Sequence, residues 1–349
     1  MEKRVAIIGA GMAGLSCAMA LQQAGFVVTL FEKSRGVSGR LSTRVTDAWQ
    51  CDHGAQYFTA RDPLFDAEVQ RWVAQDVARV WQPRLMVFDG TGLIAKVDDG
   101  KNTRYVGYPS NHTPAKWLAK ALNVVTESTV IGIHLQDDQW LVNLMEQGVY
   151  PDSFDSVILA IPAPQAAQLL KNTSSALYHF CNAVEMRPCF ALMLHFQQLI
   201  PCQFDGLFVQ TGVLSWVARN SAKPGRETKP YNDIWVLHAA AEWSAAHVDA
   251  DRDWVAQAML AAFHDLLKLD TSVQTSAYVL QAPHQFSLHR WLYADTANSI
   301  TDIYHYDATE RIGICGDWMN GGKVQGAWLS GLHLAKALIS AVASDDVNG

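Results

Sequence analysis

The sequence predicts an α/β protein in which a parallel sheet carries an inserted second domain built on an antiparallel sheet. Two observations predict the parallel sheet: a strand, a glycine-rich turn and a helix follow one another at the N-terminus, and again near the C-terminus. A third observation predicts the inserted domain. In the segment 183–281, separate strands precede an amphipathic helix from Asp251 to Leu267.

The N-terminal unit, Val5 to Glu32, has the pattern of a dinucleotide-binding site. The apolar run Val5–Ile8 predicts a strand buried on both faces, and Gly9, Gly11 and Gly14 follow at GxGxxG spacing. Gly9 permits a tight turn, Gly11 lets the backbone approach a pyrophosphate, and Gly14 allows close packing of helix against strand. The free N–H groups and positive dipole end of the helix favour phosphates there, so no lysine is needed.

The same unit continues with a helix, Leu15–Ala24, and a second strand, Phe26–Phe31, that ends in Glu32. An acid at this position accepts hydrogen bonds from both ribose hydroxyls of an adenosine. A signal peptide is the alternative, because Lys3 and Arg4 precede the apolar run. A signal peptide needs neither the three glycines nor the terminal acid, so the pattern favours the dinucleotide site.

Composition limits the class of protein. The 349 residues suffice for two cores, and 49% hydrophobic with 17% charged residues is typical of a soluble globular protein. The net charge of −7 argues against nucleic acid or an anionic membrane as partner, and we expect no later apolar stretch to span a membrane. The six cysteines show no CxxC pair and no metal-ligand spacing, so we expect no metal and a cytoplasmic location.

The loop after Glu32 alternates small residues with arginines. These arginines are Arg35, Arg40 and Arg44. They can neutralise phosphates or bond a negatively polarised ring edge, and a solvated basic loop is the alternative. Farther along, Tyr57 in the segment Cys51–Arg61 can line a flat pocket or serve in packing.

The elements between the two ends are predicted from periodicity and turn residues. The expected elements are helices at Pro63–Val80 and Pro114–Leu122, short strands between Trp81 and Tyr105 turned at Asp89-Gly90 and Asp99-Gly100, a meander at Thr129–Leu144 turned at Asp137-Asp138, a buried strand at Phe154–Ile161, a strand at Phe190–Phe196 and an exposed polar loop at Asn220–Asn232. The segment Val157–Pro164 is expected to return to the first sheet.

The C-terminal unit consists of a strand, Arg311–Cys315, a glycine-rich turn, Gly316–Gly322, and a helix, Val324–Ile339. It lacks GxGxxG, so we expect it to serve the same cofactor as the first unit. There Asp317 can bond a polyol, and the start of the helix can face the edge of a ring that gains negative charge on reduction.

Candidates for substrate contact lie before this unit. On an extended strand from Ile234 to Trp243, His238 and Glu242 would face the same side and can bond a carboxamide. A satisfied core histidine is the alternative for His238. Arg290 can neutralise a substrate phosphate or form a salt bridge. The aromatic side chains that can build a flat pocket, or equally pack in the core, are Trp243, Trp291 and Tyr293.

Together these landmarks resemble the renalase-like FAD-dependent oxidoreductases, relatives of the flavin amine oxidases. Besides GxGxxG and Glu32, the resemblance rests on the segments DHGAQYFTARDP, LHAAAEWS, HRWLYA and GDWMNGGKVQGAWLSG. It extends over nearly the whole chain. The first and last segments are shared by many FAD enzymes, whereas GAQYFTAR, AEWS and HRWLYA are more particular to the renalase group.

The resemblance implies a p-hydroxybenzoate-hydroxylase-like fold. Its Rossmann-type FAD-binding domain would comprise 1–61, 106–165 and 283–349, and its inserted α+β substrate domain 62–105 and 166–282. The implied activity is oxidation of dihydronicotinamide isomers of NAD(P)H to NAD(P)+ by hydride transfer to flavin N5, with O2 reduced to H2O2. A dihydropyridine loses only a hydride, so alignment is needed but no dedicated base.

The resemblance also implies which residues form the site. The catalytic candidates are Tyr57, His238 and Arg290. The expected FAD contacts are Gly9, Gly11, Met12, Ala13, Gly14, Glu32, Lys33, Arg40, Leu41, Gln56, Tyr57, Val130, Gly316, Asp317, Gly326 and Ala327. No cysteine lies between Gly321 and Gly326, where covalent amine oxidases attach their flavin, so non-covalent FAD is expected.

Two departures from the family leave substrate preference open: the loop reads SRGVSGR where a glycine-richer form is expected, and Gln325 replaces an expected acid. Two other function classes also stay open. One is a flavin-containing amine oxidase or other small-molecule oxidoreductase, for which an aromatic cage around the flavin would be the distinguishing feature. The other is a protein that binds FAD without turnover. The expected partners are a small-molecule substrate and O2, and the oligomeric state is not predicted.

Overall fold

The computed structural model describes residues 3–96, 102–226, 232–276, 279–298 and 300–348. The helices are α1 (Met12–Gln23), α2 (Pro63–Ala74), α3 (Thr113–Ala119), α4 (Ala163–Leu170), α5 (Ser175–Asn182), α6 (Ala241–Ala246), α7 (Arg252–Lys268), α8 (Thr271–Thr275) and α9 (Lys323–Asn348). The strands are β1 (Arg4–Ile8), β2 (Val27–Phe31), β3 (Thr43–Val45), β4 (Gln50–Asp52), β5 (Ala78–Val80), β6 (Leu85–Phe88), β7 (Leu93–Ala95), β8 (Tyr105–Gly107), β9 (Asn123–Val125), β10 (Val130–Gln136), β11 (Gln139–Leu144), β12 (Gly148–Val149), β13 (Ser156–Leu159), β14 (Met186–Phe196), β15 (Gly206–Val209), β16 (Leu214–Arg219), β17 (Asp233–Ala239), β18 (Gln285–Thr296), β19 (His305–Asp307) and β20 (Ile312–Ile314).

The N-terminal strand lies inside a six-stranded sheet with the order β19-β20-β13-β1-β2-β9, in which only the edge strand β19 runs antiparallel to its neighbour. As predicted, the strand that begins near Val157 returns to this sheet, with Ile158 beside Ile7. One face packs against α1 and α9, and the other against α4 and β11. Burial on both faces explains the uninterrupted apolar runs of these strands.

The second sheet has seven strands in the order β18-β14-β17-β16-β15-β6-β7, all antiparallel except the pair β15 and β6. On β17, Trp235 and Leu237 face α7, whereas Ile234 and Val236 face the opposite side. This opposite side packs against Trp49 and against β4. The predicted α/β class, with a second domain on an antiparallel sheet, is therefore confirmed.

Two predicted elements end earlier than expected. The strand from Ile234 stops at Ala239, and helix α6 begins at Ala241, so Glu242 lies on a helix. The predicted helix Pro63–Val80 ends at Ala74, because the chain turns at Asp76, whose φ is +54°, into a strand paired with β8. In both cases, pairing or packing with a distant segment decides the boundary.

The polar segment 220–232, predicted as an exposed loop, buries its Asn220, Lys223 and Arg226 side chains where the structure describes it. Asn220 is fully buried, and Lys223 and Arg226 are each 1% exposed. Lys223 and Arg226 contact the buried carboxylate of Asp52, and Asn220 contacts the backbone of Gln50 and Asp52. Residues 227–231 and the predicted Asp99-Gly100 turn lie outside the described residues.

Two further differences concern packing. Helix α2, which the predicted division assigns to the substrate domain, packs through Phe65 and Trp72 in the same core as α1. Strand β18, assigned to the FAD-binding domain, pairs with β14 in the second sheet.

The stretch Lys323–Ser344 of α9 has the length and apolar character of a membrane span, contrary to expectation. In the structure its Gly331 lies against the backbone of α1, as in a core helix.

Candidate active site

The turn between β1 and α1 leaves a space at the helix N-terminus. A Cβ at Gly9 would lie 2.6 Å from the Ala160 carbonyl oxygen, and one at Gly14 would lie 2.0 Å from the Gly9 oxygen. These two glycines are therefore required by packing. A Cβ at Gly11, in contrast, would meet no atom within 4 Å. Gly11 is the N-cap residue of α1 and provides no side-chain hydrogen bond to the helix. A helix N-terminus without a side-chain cap, facing open space, fits a pyrophosphate. Met12 and Ala13 lie in the first turn of this helix.

Glu32 lies at the end of β2, beside this turn. Its Oε2 accepts a hydrogen bond from the Ala10 N–H at 3.0 Å, and its Oε1 accepts one from the Ser34 N–H at 2.8 Å. The carboxylate is thus fixed at the edge of the sheet where the adenosine of a dinucleotide would lie. Lys33 is exposed, and Val130 is half-buried at the start of β10.

Arg40 joins three segments of the molecule. Its Nη2 forms an ion pair with Oδ1 of Asp317, and its Nη1 donates to the carbonyl oxygens of Tyr293 and Ala294, each at 3.2 Å. The loop containing Arg40 also lies over the phosphate turn, since a Cβ at Gly39 would be 3.3 Å from the Gly11 Cα. Leu41, the next residue, is buried and anchors this loop in the core around α1.

The C-terminal unit packs directly on the N-terminal one. A Cβ at Gly331 of α9 would lie 2.0 Å from the Ala13 carbonyl oxygen, so the two helices cross there with their backbones in contact. The Ser16 hydroxyl donates to the Trp328 carbonyl oxygen at 2.8 Å, and the Gly316 N–H donates to the Ser330 hydroxyl at 2.9 Å. Gly326 is similarly tight, because a Cβ there would be 2.3 Å from the Asn320 oxygen. Ala327 follows it on α9.

The second sheet presents a row of side chains on the face opposite α7. Strand register places His289, Ala191, His238 and Trp216 side by side on four neighbouring strands. Directly opposed residues in a sheet share one face. The small Ala191 in the middle leaves space between the two imidazoles.

Residues of the segment 52–57 lie over this row. The ring of His53 stacks on Trp291 with centroids 5.3 Å apart, and the Trp291 indole donates to the His53 carbonyl oxygen at 2.9 Å. The Gln56 Nε2 lies 3.5 Å from the His238 Nε2. Tyr57 lies 5.9 Å, between ring centroids, from Trp216. The structure therefore brings together three candidate residues, Gln56, Tyr57 and His238, and adds His53 and His289, which were not candidates from the sequence.

The imidazoles of this face are held uncharged near neutral pH. Burial, reinforced by Lys223, lowers the pKa of His238 to about 4. Burial, with His289 and Arg44 nearby, lowers the pKa of His53 to about 3. Burial and Arg44 likewise lower the pKa of His289 to about 4. This face therefore offers neutral hydrogen-bonding groups and aromatic planes.

A buried ionic cluster, which the sequence analysis missed, supports the segment 52–56. Asp52 Oδ2 accepts from Lys223 Nζ at 3.2 Å and from Arg226 Nη2 at 2.8 Å, and all three side chains are fully buried. Burial alone raises the pKa of Asp52, but the two cations and a hydrogen bond from Thr43 outweigh it and lower the pKa to about 2. No local sequence pattern could reveal this cluster, because Lys223 and Arg226 lie 171 and 174 positions from Asp52 in the chain.

A cavity of about 630 Å³ opens at the end of the second sheet. Its lining includes His238, Cys189 and Trp243, and Ala294, whose carbonyl oxygen Arg40 contacts. The charged residues of the lining are Arg187, Glu242 and Asp295. Arg187 lies 3.4 Å from the Glu242 carboxylate and 3.1 Å from that of Asp295, so the acids outnumber the cation.

Other candidates lie apart from this group. Arg290 is opposite Phe190 in the strand register, which places it on the α7 face, where it lies 3.7 Å from Asp249. The salt-bridge alternative describes its position, and its catalytic role stays a prediction without structural support. Arg35 is exposed, and Arg44 lies near the imidazoles and not at the phosphate turn. The shared face predicted for Glu242 and His238 is wrong, since Glu242 is on α6.

Fold and site define a FAD-dependent oxidoreductase of the Rossmann type. Residues 7–74 match the model of the NAD(P)-binding Rossmann-like domain, and residues 99–339, more than half of the chain, match that of the flavin containing amine oxidoreductases. The chain belongs to the flavin containing amine oxidoreductase family.

Solved structures share the fold. A protein assigned as a protoporphyrinogen oxidase from Exiguobacterium superimposes with a TM-score of 0.77 at 13% identity, covering 97% of this chain and 99% of the other. Cyclohexylamine oxidase from Brevibacterium oxydans gives a TM-score of 0.70 at 10% identity, covering 98% and 100%. Identities this low show a common fold alone.

Similarity to curated relatives is local. An L-amino-acid oxidase from Pseudechis australis is 39% identical over 72 residues, which are 20% of this chain and 14% of the relative. The matched region thus spans a small part of that protein's length, and the substrate of this chain has to be argued from its own site.

Proposed function

We propose that the protein is a renalase-like oxidase that oxidises dihydronicotinamide isomers of NAD(P)H to NAD(P)+ and transfers the electrons to O2, which becomes H2O2. FAD, when bound, supplies the hydride acceptor. Gly11 and the N-terminus of α1 would hold its pyrophosphate, and Glu32 its adenosine ribose. Arg40 and Asp317 would hold the part of the cofactor that lies between the two glycine-rich turns.

One observation carries the proposal: the face of the second sheet opposite α7, which would lie toward the cofactor, presents uncharged imidazoles and flat aromatic rings. His53 stacks almost parallel to Trp291, with 18° between their planes, and His238 is uncharged near neutral pH. Such a surface can align a planar dihydropyridine and exclude water. Loss of a hydride yields an aromatic pyridinium directly, so no protein group has to accept a proton.

Amine oxidation is the second candidate, and a different observation favours it. Glu242 and Asp295 give the cavity lining an excess of negative charge over Arg187, which attracts a cationic substrate. Tyr57 and Trp216, with ring planes 55° apart, also form part of an aromatic wall.

The two candidates are separated by anaerobic reduction of the flavin in the FAD-loaded protein. We expect borohydride-reduced NAD+, which contains several dihydronicotinamide isomers, to bleach the flavin absorbance rapidly, and putrescine, cyclohexylamine and L-amino acids to leave it unchanged. Rapid bleaching by an amine, without bleaching by the nicotinamide mixture, would establish the second candidate. If no reductant of either class bleaches the bound flavin, the protein binds FAD without this turnover.

A further inference from the structure

Lys223 reaches from the second sheet to the amide of Gln56 and the carboxylate of Asp52. Its side chain is fully buried, and its Nζ lies 3.0 Å from Gln56 Oε1 and 3.2 Å from Asp52 Oδ2. It comes from the loop after β16 in the second sheet, whereas Gln56 belongs to the segment that follows β4. A buried ammonium needs acceptors on every side that lacks water.

This contact fixes which way the Gln56 amide points. An ammonium group has three donors and no acceptor, so the amide oxygen has to face Lys223. The amide nitrogen then faces the carbonyl oxygens of Asp52 and Gly54, at 2.8 and 2.9 Å, and His238 Nε2, at 3.5 Å. The opposite orientation would place the NH2 group against the ammonium and the oxygen against two carbonyl oxygens.

The amide orientation in turn selects one form of His238. The two N–H groups of the amide already point at the carbonyl oxygens of Asp52 and Gly54, and the amide nitrogen offers no acceptor to His238 Nε2. A proton on Nε2 would therefore find no partner at this amide, which favours the form of His238 that is protonated on Nδ1. The His238 ring also hydrogen-bonds the backbone of His53. The charged or titratable groups around it are Lys223 and His53, with Asp52, Arg44 and His289 farther out.

We propose that Lys223 is a positioning residue, which acts through Gln56 to hold His238 in its neutral form with Nε2 unprotonated at the wall of the cavity. The cofactor and the substrate then meet an imidazole that stays uncharged below neutral pH. The proposal concerns the protein's own groups and goes beyond the proposed function. It holds whether the substrate is a dihydronicotinamide or an amine.

Arg226 provides a matched control, because it contacts the Asp52 carboxylate, as Lys223 does, but not the Gln56 amide. Its Nε and Nη2 contact Asp52 Oδ2 at 3.1 and 2.8 Å, and its other bonds go to Pro224, Gly107 and Asn111. Lys223→Met leaves Asp52 paired with Arg226, and Arg226→Met leaves it paired with Lys223. Both variants weaken the cluster, whereas only the first releases Gln56.

The tautomer can be read directly by NMR. In FAD-loaded protein labelled with 15N-histidine, long-range 1H–15N correlation spectra distinguish a protonated from an unprotonated Nε2, and His238→Asn identifies the His238 signals. We expect wild-type His238 to show an unprotonated Nε2 at every pH from about 8 to about 5. A protonated Nε2 in the wild type would overturn the proposal without any Lys223 variant.

The variants test the role of Lys223. In Lys223→Met we expect His238 to titrate with a midpoint shifted upward toward the ordinary histidine value of about 6.5, and the flavin absorbance spectrum to acquire the same pH dependence. Gln56→Glu, which retains a partner for Lys223 but replaces the NH2 group with an acceptor, should also let His238 take up a proton. Arg226→Met should lower stability without this titration. If Lys223→Met titrates like the wild type, or if Arg226→Met titrates like Lys223→Met, Lys223 does not have this role.

Discussion

Arg40 and Asp317 lie 277 positions apart in the chain and form an ion pair between the N-terminal and C-terminal glycine-rich units. The same guanidinium donates to two carbonyl oxygens of β18, the edge strand of the second sheet. One side chain thus connects both crossover units with the substrate-facing domain. We therefore expect the position of the bound cofactor to depend on all three segments.

Replacing Arg40 with Met should weaken FAD binding by about 10- to 100-fold, because hydrogen bonds to a charged group contribute about 1.5–3 kcal/mol. Titration of the apoprotein with FAD, followed by flavin fluorescence, measures this loss. Arg35→Met, a change at an exposed arginine of the same loop, should leave the affinity unchanged. Equal losses in the two variants would mean that only the overall charge of the loop matters.

Gly11 and Gly14 should respond differently to alanine. Gly11 has φ −78° and ψ −177°, and a Cβ there meets no atom, so Gly11→Ala should fold normally but obstruct the pyrophosphate. Gly14→Ala forces a Cβ to within 2.0 Å of the Gly9 oxygen and should destabilise the fold itself. Thermal unfolding of the apoprotein and FAD titration separate the two effects. Normal FAD binding by Gly11→Ala would contradict the pyrophosphate position.

Asp52→Asn should lower the free energy of unfolding by about 3–5 kcal/mol, because two buried cations lose their counter-charge. The native pKa of Asp52 is depressed to about 2, so its contribution is complete above the unfolded value of about 3.9 and is lost as the pH falls toward 2. Urea denaturation measures both effects. Asp265→Asn, which breaks the exposed pair with Lys268, should cost no more than about 1 kcal/mol.

His53 should make stability decrease on acidification. Its native pKa of about 3 lies below the value of about 6.5 in the unfolded chain. Between about pH 6.5 and about pH 3, the unfolded chain therefore binds a proton at His53 that the folded protein does not. The free energy of unfolding then falls by up to about 1.4 kcal/mol per pH unit. Urea denaturation from about pH 7 to about pH 5 should show a shallower slope for His53→Asn than for the wild type. His134→Asn, a substitution of an exposed histidine, serves as the control variant.

Arg187 and Arg290 test which arginine serves the substrate. Arg187 lines the cavity between two carboxylates, so Arg187→Met leaves these acids uncompensated and should raise KM for an anionic dinucleotide about 10-fold, an effect of about 1.4 kcal/mol. Arg290 lies on the other face of the sheet, and Arg290→Met should change KM little. Steady-state oxidation of the dihydronicotinamide mixture measures both. A larger effect at Arg290 would restore its predicted catalytic role.

Much of the first unit was predictable from sequence because its determinants are local. A buried strand, three glycines and a helix start are encoded within a short segment. The structure places Gly9 and Gly11 in the turn, Gly14 against the Gly9 backbone, and Glu32 at the end of β2 beside this turn. The strand at Val157 was also predictable, since a short apolar run stopped by prolines is typical of a strand buried on both faces in a parallel sheet.

Tertiary structure alone decided the rest. The sequence placed Lys223 and Arg226 in a polar, proline- and glycine-containing run, which is typical of an exposed loop, and only their distant partner Asp52 makes them buried. Likewise, Glu242 leaves the strand because α6 begins there and packs against β14. The physical reason is the same in each case: backbone preferences act between neighbours in the chain, whereas burial of a charge or the end of a strand depends on groups that only the folded chain brings together.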